Sequence, residues 1–214
     1  MSEINCRGRH KKERVASEYV ITPLFYGVLL NGMSMECCCG DAVTTSYFQA
    51  SLRHKTNNHP GEIVILGDSC GDELFEIAKC GKPPLFNPLA NVRKFRGGAT
   101  ATAKNENDDS SGDYATLNWE IYTAMGLVVW SWNGVEFSGI FARLAKWIHT
   151  KPSVPVRPDF LIDFVSVVVE HDRQHRTLRE IVNDLRIANP SLKDFSFPAM
   201  CNVLGRYCMS CFVE

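Results

Sequence analysis

The stretch Gly61-Glu-Ile-Val-Ile-Leu-Gly-Asp-Ser-Cys-Gly-Asp72 restricts the fold more than any other part of this chain. Four apolar residues, Ile63 to Leu66, run straight into Gly67-Asp68-Ser69. A short apolar run of this kind, rich in β-branched residues and bounded by a turn, reads as a buried strand. The turn then lifts one serine off the end of a sheet. Active sites of parallel sheets form at the carboxyl ends of their strands, so Ser69 is a candidate nucleophile. The competing reading is a serine that caps the helix beginning near Asp72.

The rest of the chain can be placed around that strand. Asp72 to Cys80 reads as a helix carrying Leu74, Phe75, Ile77 and Ala78, stopped by Gly81 and Pro83. Val92 to Phe95 is a short strand ending at Gly97-Gly98, and polar residues 104–113 form a surface loop. Leu117 to Met125 reads as a helix and Leu127 to Trp132 as a second buried strand. Phe137 to His149 is a helix with Phe141, Leu144, Ala145 and Ile148 on one face. Residues 160–169 fit two patterns. The run Phe164 to Val169 is β-branched, yet Leu161, Phe164, Val165 and Val168 also share a helical face. Arg176 to Ala188 is amphipathic and helical, and Asp194 to Met200 reads as a last strand. Alternation of strands and helices predicts an α/β fold, a three-layer sandwich around a mostly parallel sheet. Three segments follow: a loosely attached basic terminus at 1–18, an extension at 19–59 packed on the core, and the α/β domain at 60–214. Within the extension, Tyr19 to Leu30 and Val43 to Leu52 are apolar but fit strand or helix equally.

Bulk properties exclude several functions. A net charge of −1 gives no global pull toward nucleic acid or an anionic membrane. The basic cluster Arg7, Arg9, Lys11, Lys12, Arg14 is read as a frayed, solvated terminus. The apolar run from Val20 to Met35 is interrupted by Pro23, Gly27, Asn31 and Gly32, too often to span a bilayer. Nine cysteines, an odd number with no signal segment ahead of them, point to reduced thiols in the cytoplasm rather than a disulfide framework. Cys37, Cys38 and Cys39 cannot easily bridge to one another, and Cys70 reads as a small buried filler.

Three strand ends supply the residues of a reaction centre in order: Ser69 in Gly-Asp-Ser, Gly98 in Phe95-Arg-Gly-Gly-Ala-Thr100, and Asn133 in Val128-Val-Trp-Ser-Trp-Asn-Gly134. This ordered set resembles the SGNH, or GDSL-type, hydrolase superfamily, over residues 62–200. The resemblance implies a flavodoxin-like sheet and a serine esterase or acyl hydrolase acting on a small-molecule ester, with no metal and no cofactor. It makes Ser69 the nucleophile. It also makes Ser69, Gly98 and Asn133 the oxyanion hole, whose fixed donors stabilise the charge of the tetrahedral state. Block three departs from the family, which has Gly-x-Asn-Asp where this chain has Ser131-Trp-Asn-Gly134. Asn133-Gly134 is also a favoured turn pair, Gly97-Gly98 a plausible hinge, and Trp130 and Trp132 candidates for core packing.

The family's base is a histidine three residues after an aspartate near the C-terminus. The match here is Asp172-Arg-Gln-His175, which comes earlier than the family pattern expects. Either His175 with Asp172 serves as base and orienter, or the usual histidine would lie beyond Glu214 and the domain is truncated. The second case gives an inactive binding domain. A third reading joins His171 and His175 to Cys208 and Cys211 in a Cys₂His₂ zinc module, at a spacing unlike a common finger.

Overall fold

The computed structural model describes residues 4–30, 32–56, 61–89, 114–132, 138–209 and 212–213. Its strands are β1 (Tyr19–Val28), β2 (Met35–Glu36), β3 (Ala42–Val43), β4 (Ser46–His54), β5 (Glu62–Gly67) and β6 (Leu85–Phe86). Its helices are α1 (Arg9–Glu18), α2 (Asp68–Ala78), α3 (Thr116–Ser131), α4 (Gly139–Thr150), α5 (Pro158–His171), α6 (Leu178–Ala188) and α7 (Pro198–Gly205). The fold is mixed α/β and falls into two compact units, residues 1–86 with 136–149, and residues 87–135 with 150–214.

The first unit holds all the described sheet. Strand order is β5-β4-β1-β6. The β1–β4 and β4–β5 pairs are antiparallel, and only the two-residue β6 runs parallel, beside β1. The expected mostly parallel sheet is therefore corrected. The long apolar stretches before residue 60 are themselves the central strands, and they pair by folding back on one another. A boundary at residue 60 would cut this sheet between β4 and β5, so residues 19–59 are core rather than an extension. The β1–β4 register slips between Pro23 and Phe25. Proline has no N–H for a ladder, which makes a bulge the natural place for it.

Tyr47, Phe48, Gln49 and Ala50 of β4 are buried in succession, so both faces of that strand are covered. Phe48 stacks on Tyr26 at 4.0 Å between ring centroids and meets Phe75 of α2 edge-on at 5.1 Å. Phe25 packs against Tyr47 and Phe86. The terminus predicted to fray is a helix from Arg9 onward, and it buries Lys12 and Val15.

The second unit is helical over its named elements. Leu127–Trp132 is expected as a strand, but Leu127–Ser131 continue α3 and Trp132 is its C-cap; every residue from Ile121 to Trp130 is buried. A helix buried on all sides shows no 3.6-residue alternation, so its sequence looks like a core strand. Residues 160–169 resolve as α5, with Leu161, Phe164, Val165 and Val168 forming the buried stripe. Asp194–Met200 is not a strand, since Pro198 opens α7. The Glu120 carboxylate of α3 accepts the Ala199 and Met200 amides at that helix start. Thr177 and Glu180 close a reciprocal capping box on α6. Val92–Phe95 lies outside the described residues. Among the described residues, no helix is long and apolar enough to cross a membrane.

Candidate functional site: a buried thiol cluster

Five residues, Cys37 to Asp41, link β2 to β3 and turn back tightly. The Cys37 amide donates to the Asp41 carbonyl at 2.9 Å, and the Gly40 amide to the Cys37 carbonyl at 2.7 Å. Gly40 takes φ +87°, a left-handed conformation that glycine adopts without a Cβ clash. This knuckle then docks on β5, where the Cys38 amide donates to the Ile65 carbonyl at 2.8 Å. The chain leaves β5 at Gly67 and enters α2, which puts Cys70 in the first turn of that helix beside the knuckle.

The outcome is a cluster built from residues far apart in sequence. The sulfurs of Cys37, Cys38 and Cys70 all lie within 4.8 Å of one another. Cys37 and Cys70 are buried, and Cys38 is half-buried. Cys6, fully buried, brings its thiol within hydrogen-bonding reach of Cys38. The Gly67 amide donates to the Cys37 sulfur at 3.4 Å. Hydrogen bonds from Cys38 first, then from Cys70 and the Cys39 and Gly67 amides, hold the Cys37 thiol well below its ordinary pKa. Cys38 and Cys70 are pushed up, chiefly by the protons they share with Cys37. One thiolate is thus stabilised within a group of thiols. The Lys12 ammonium, 7% exposed and paired with Glu73 of α2, adds positive potential toward Cys6 and Cys70.

Sequence reading passed over this cluster. It treated the three consecutive cysteines as unable to bridge and Cys70 as filler. The usable signal was Cys37-Cys-Cys-Gly-Asp41, a cysteine-rich turn closed by glycine, in a chain already read as reduced.

The residues that were predicted as a site are distributed as follows. Ser69 is exposed on the first turn of α2, directly after β5. The N-cap there is Gly67, so Ser69 is not a cap. It borders an open cavity shared with Asp72, Glu73, Glu76, Cys80 and Lys82. Gly98 and Asn133 lie outside the described residues. Asp172 and His175 belong to the second unit.

Asp172 is buried, and its carboxylate is fully engaged. Trp132 Nε1 donates to Oδ1 at 3.0 Å, while Arg176 donates through its guanidinium at 2.7 Å to Oδ1 and its amide at 2.8 Å to Oδ2. Arg176 above all, with those N–H donors, holds the carboxyl well below the usual carboxylate range. The exposed His175 ring instead pairs with the Val169 carbonyl at 3.1 Å through Nδ1. The carboxylate expected to orient His175 is thus committed to an arginine, and the two side chains do not form the base–orienter pair. His171 and Cys208 are exposed, and His171 Nδ1 pairs with the Val167 carbonyl. Cys211 lies outside the described residues.

Residues 4–211 match a family profile. The chain belongs to the family described as Uncharacterised conserved protein UCP028583. No curated protein and no solved structure matches the chain. The match spans residues of both compact units.

Proposed function

We propose that the first unit is a metal-binding module that holds a thiophilic d¹⁰ cation, zinc by class, on Cys37, Cys38 and Cys70. The observation that carries this reading is the mutual proximity of the three sulfurs, within 4.8 Å. Tetrahedral zinc with Zn–S bonds of about 2.3 Å sets its sulfurs about 3.8 Å apart, so binding requires closure by about 1 Å at most. Thiolate donors select zinc, copper(I) or iron–sulfur chemistry over hard cations. The N–H donors on Cys37 stabilise the deprotonated sulfur that a metal needs. The site falls on residues other than those of the zinc module expected from His171, His175, Cys208 and Cys211.

Metal analysis of protein purified without chelator tests the reading. One zinc per chain is expected, lost in Cys37→Ser and Cys70→Ser. Metal-free protein that takes up no zinc on titration would overturn it, as would the visible absorption of an iron–sulfur cluster.

A second proposal keeps Ser69 as the nucleophile of an esterase acting on a small ester. It is supported by the exposure of that hydroxyl at a strand-to-helix junction beside an open cavity. Its base would have to be a group other than the His175–Asp172 pair.

A further inference from the structure

We infer that Cys6 is the fourth ligand, so that the metal closes its coordination sphere by clasping the segment ahead of α1 onto the knuckle; this rests on the metal-binding reading above. Whether that sphere is open or closed decides what the site does. Three thiolates and a water leave a position for substrate, whereas four thiolates make a structural lock.

Three observations favour closure by Cys6. Its side chain is fully buried and its thiol neighbours that of Cys38, outside the tight group of Cys37, Cys38 and Cys70, so that closure draws it inward. The segment that carries it is held against the cluster on both sides. Arg7 donates to Asp41 Oδ1 of the knuckle at 3.0 Å, and Lys12 on α1 pairs with Glu73 of α2. Finally, four thiolates around a divalent cation carry two net negative charges, and the buried Lys12 ammonium offsets part of that charge.

Cys39 is the competing fifth thiol. It lies next to the ligands in sequence, but its Sγ donates to Asp41 Oδ2 at 3.4 Å. That contact turns its sulfur onto the Asp41 carboxylate, outside the Cys37, Cys38 and Cys70 group. Cys39 therefore stands outside the coordination sphere.

The test uses the full chain loaded with zinc, read by X-ray absorption at the zinc edge. Four sulfur scatterers at about 2.3 Å are expected for the wild type. Cobalt(II) replacement then compares Cys6→Ser with Cys39→Ser. The first should lose about a quarter of its sulfur-to-cobalt charge-transfer intensity and bind zinc at least ~10–100-fold more weakly. The second should match the wild type. Three sulfurs with one oxygen or nitrogen in the wild type would overturn the assignment of Cys6 and leave the three-cysteine site standing. Loss confined to Cys39→Ser would overturn it equally. A wild type that binds neither metal would instead sink the underlying reading. If Cys6→Ser fails to fold, the zinc edge of Cys39→Ser decides: four sulfurs retained there support Cys6, and a drop to three overturns it.

Discussion

The Gly67 amide donates to the sulfur of Cys37, 3.4 Å away, across thirty residues of chain. That bond joins the end of β5 to the knuckle between β2 and β3. Metal binding at this junction would hold together two strands' ends and the start of α2. Zinc at 100 times its Kd should therefore stabilise the first unit by about 2.7 kcal/mol. Thermal melts with and without zinc should differ for the wild type and coincide for Cys37→Ser. Equal melting of the wild type in both conditions would refute the prediction.

Gly71 follows Cys70 directly and faces Phe48. A Cβ at position 71 would collide with that ring, which is already fixed between Tyr26 and Phe75. Gly71→Ala should cost about 1–3 kcal/mol by overpacking, and it should weaken metal retention because the ring's displacement disturbs the first turn of α2. Urea melts and metal analysis of the variant check both effects.

Asp172 makes the second unit sensitive to acid. Its folded carboxyl is held below the unfolded value of about 3.9, so it contributes stability above that pH. The contribution is lost as pH falls through the lower, folded value. Asp172→Asn should cost about 3 kcal/mol at pH 7, by leaving Arg176 without its main partner. The variant should also show a shallower loss of stability between pH 5 and pH 3, to the extent of about one proton. Denaturant melts across that range read both quantities, and parallel slopes for the two proteins would contradict the assignment.

Asn118 secures the loop after α4. Its amide donates to the Pro152 and Val154 carbonyls, both at 2.8 Å, and its Oδ1 accepts the Val156 amide at 2.8 Å. Because the side chain is fully buried, Asn118→Ala strands those backbone groups away from water. A loss of about 3 kcal/mol is expected, with Asn118→Asp failing to rescue it. Urea midpoints with an unchanged slope would confirm a local cause.

Ser69 offers the test of the esterase proposal. A fluorophosphonate probe should label the wild type and leave Ser69→Ala unlabelled. Equal labelling of both, or of neither, removes Ser69 as a nucleophile.

Much of the local structure was legible from residue spacing. β5 ends where Ile63–Leu66 meets Gly67, although α2 begins at Asp68 rather than at the expected Asp72, and α4 and α6 follow their apolar stripes. α3 was misread in its second half because a helix buried all round loses the periodicity that distinguishes it from a strand. Sheet direction was misread for a different reason. Alternating elements suggest crossovers, but nothing local records that β1 and β4 fold back on each other.

The sequence by itself determined the mixed α/β character and the strand that ends at Gly67. Those follow from local backbone preference and from composition, which need no knowledge of partners. Only the tertiary structure decided which cysteines meet. Cys37, Cys38 and Cys70 converge because the knuckle pairs with the outer edge of β5, which leads directly into α2, and α1 lying over α2 brings Cys6 to their side. That convergence is set by long-range pairing, whose loop-closure entropy and register leave no periodic mark on the chain.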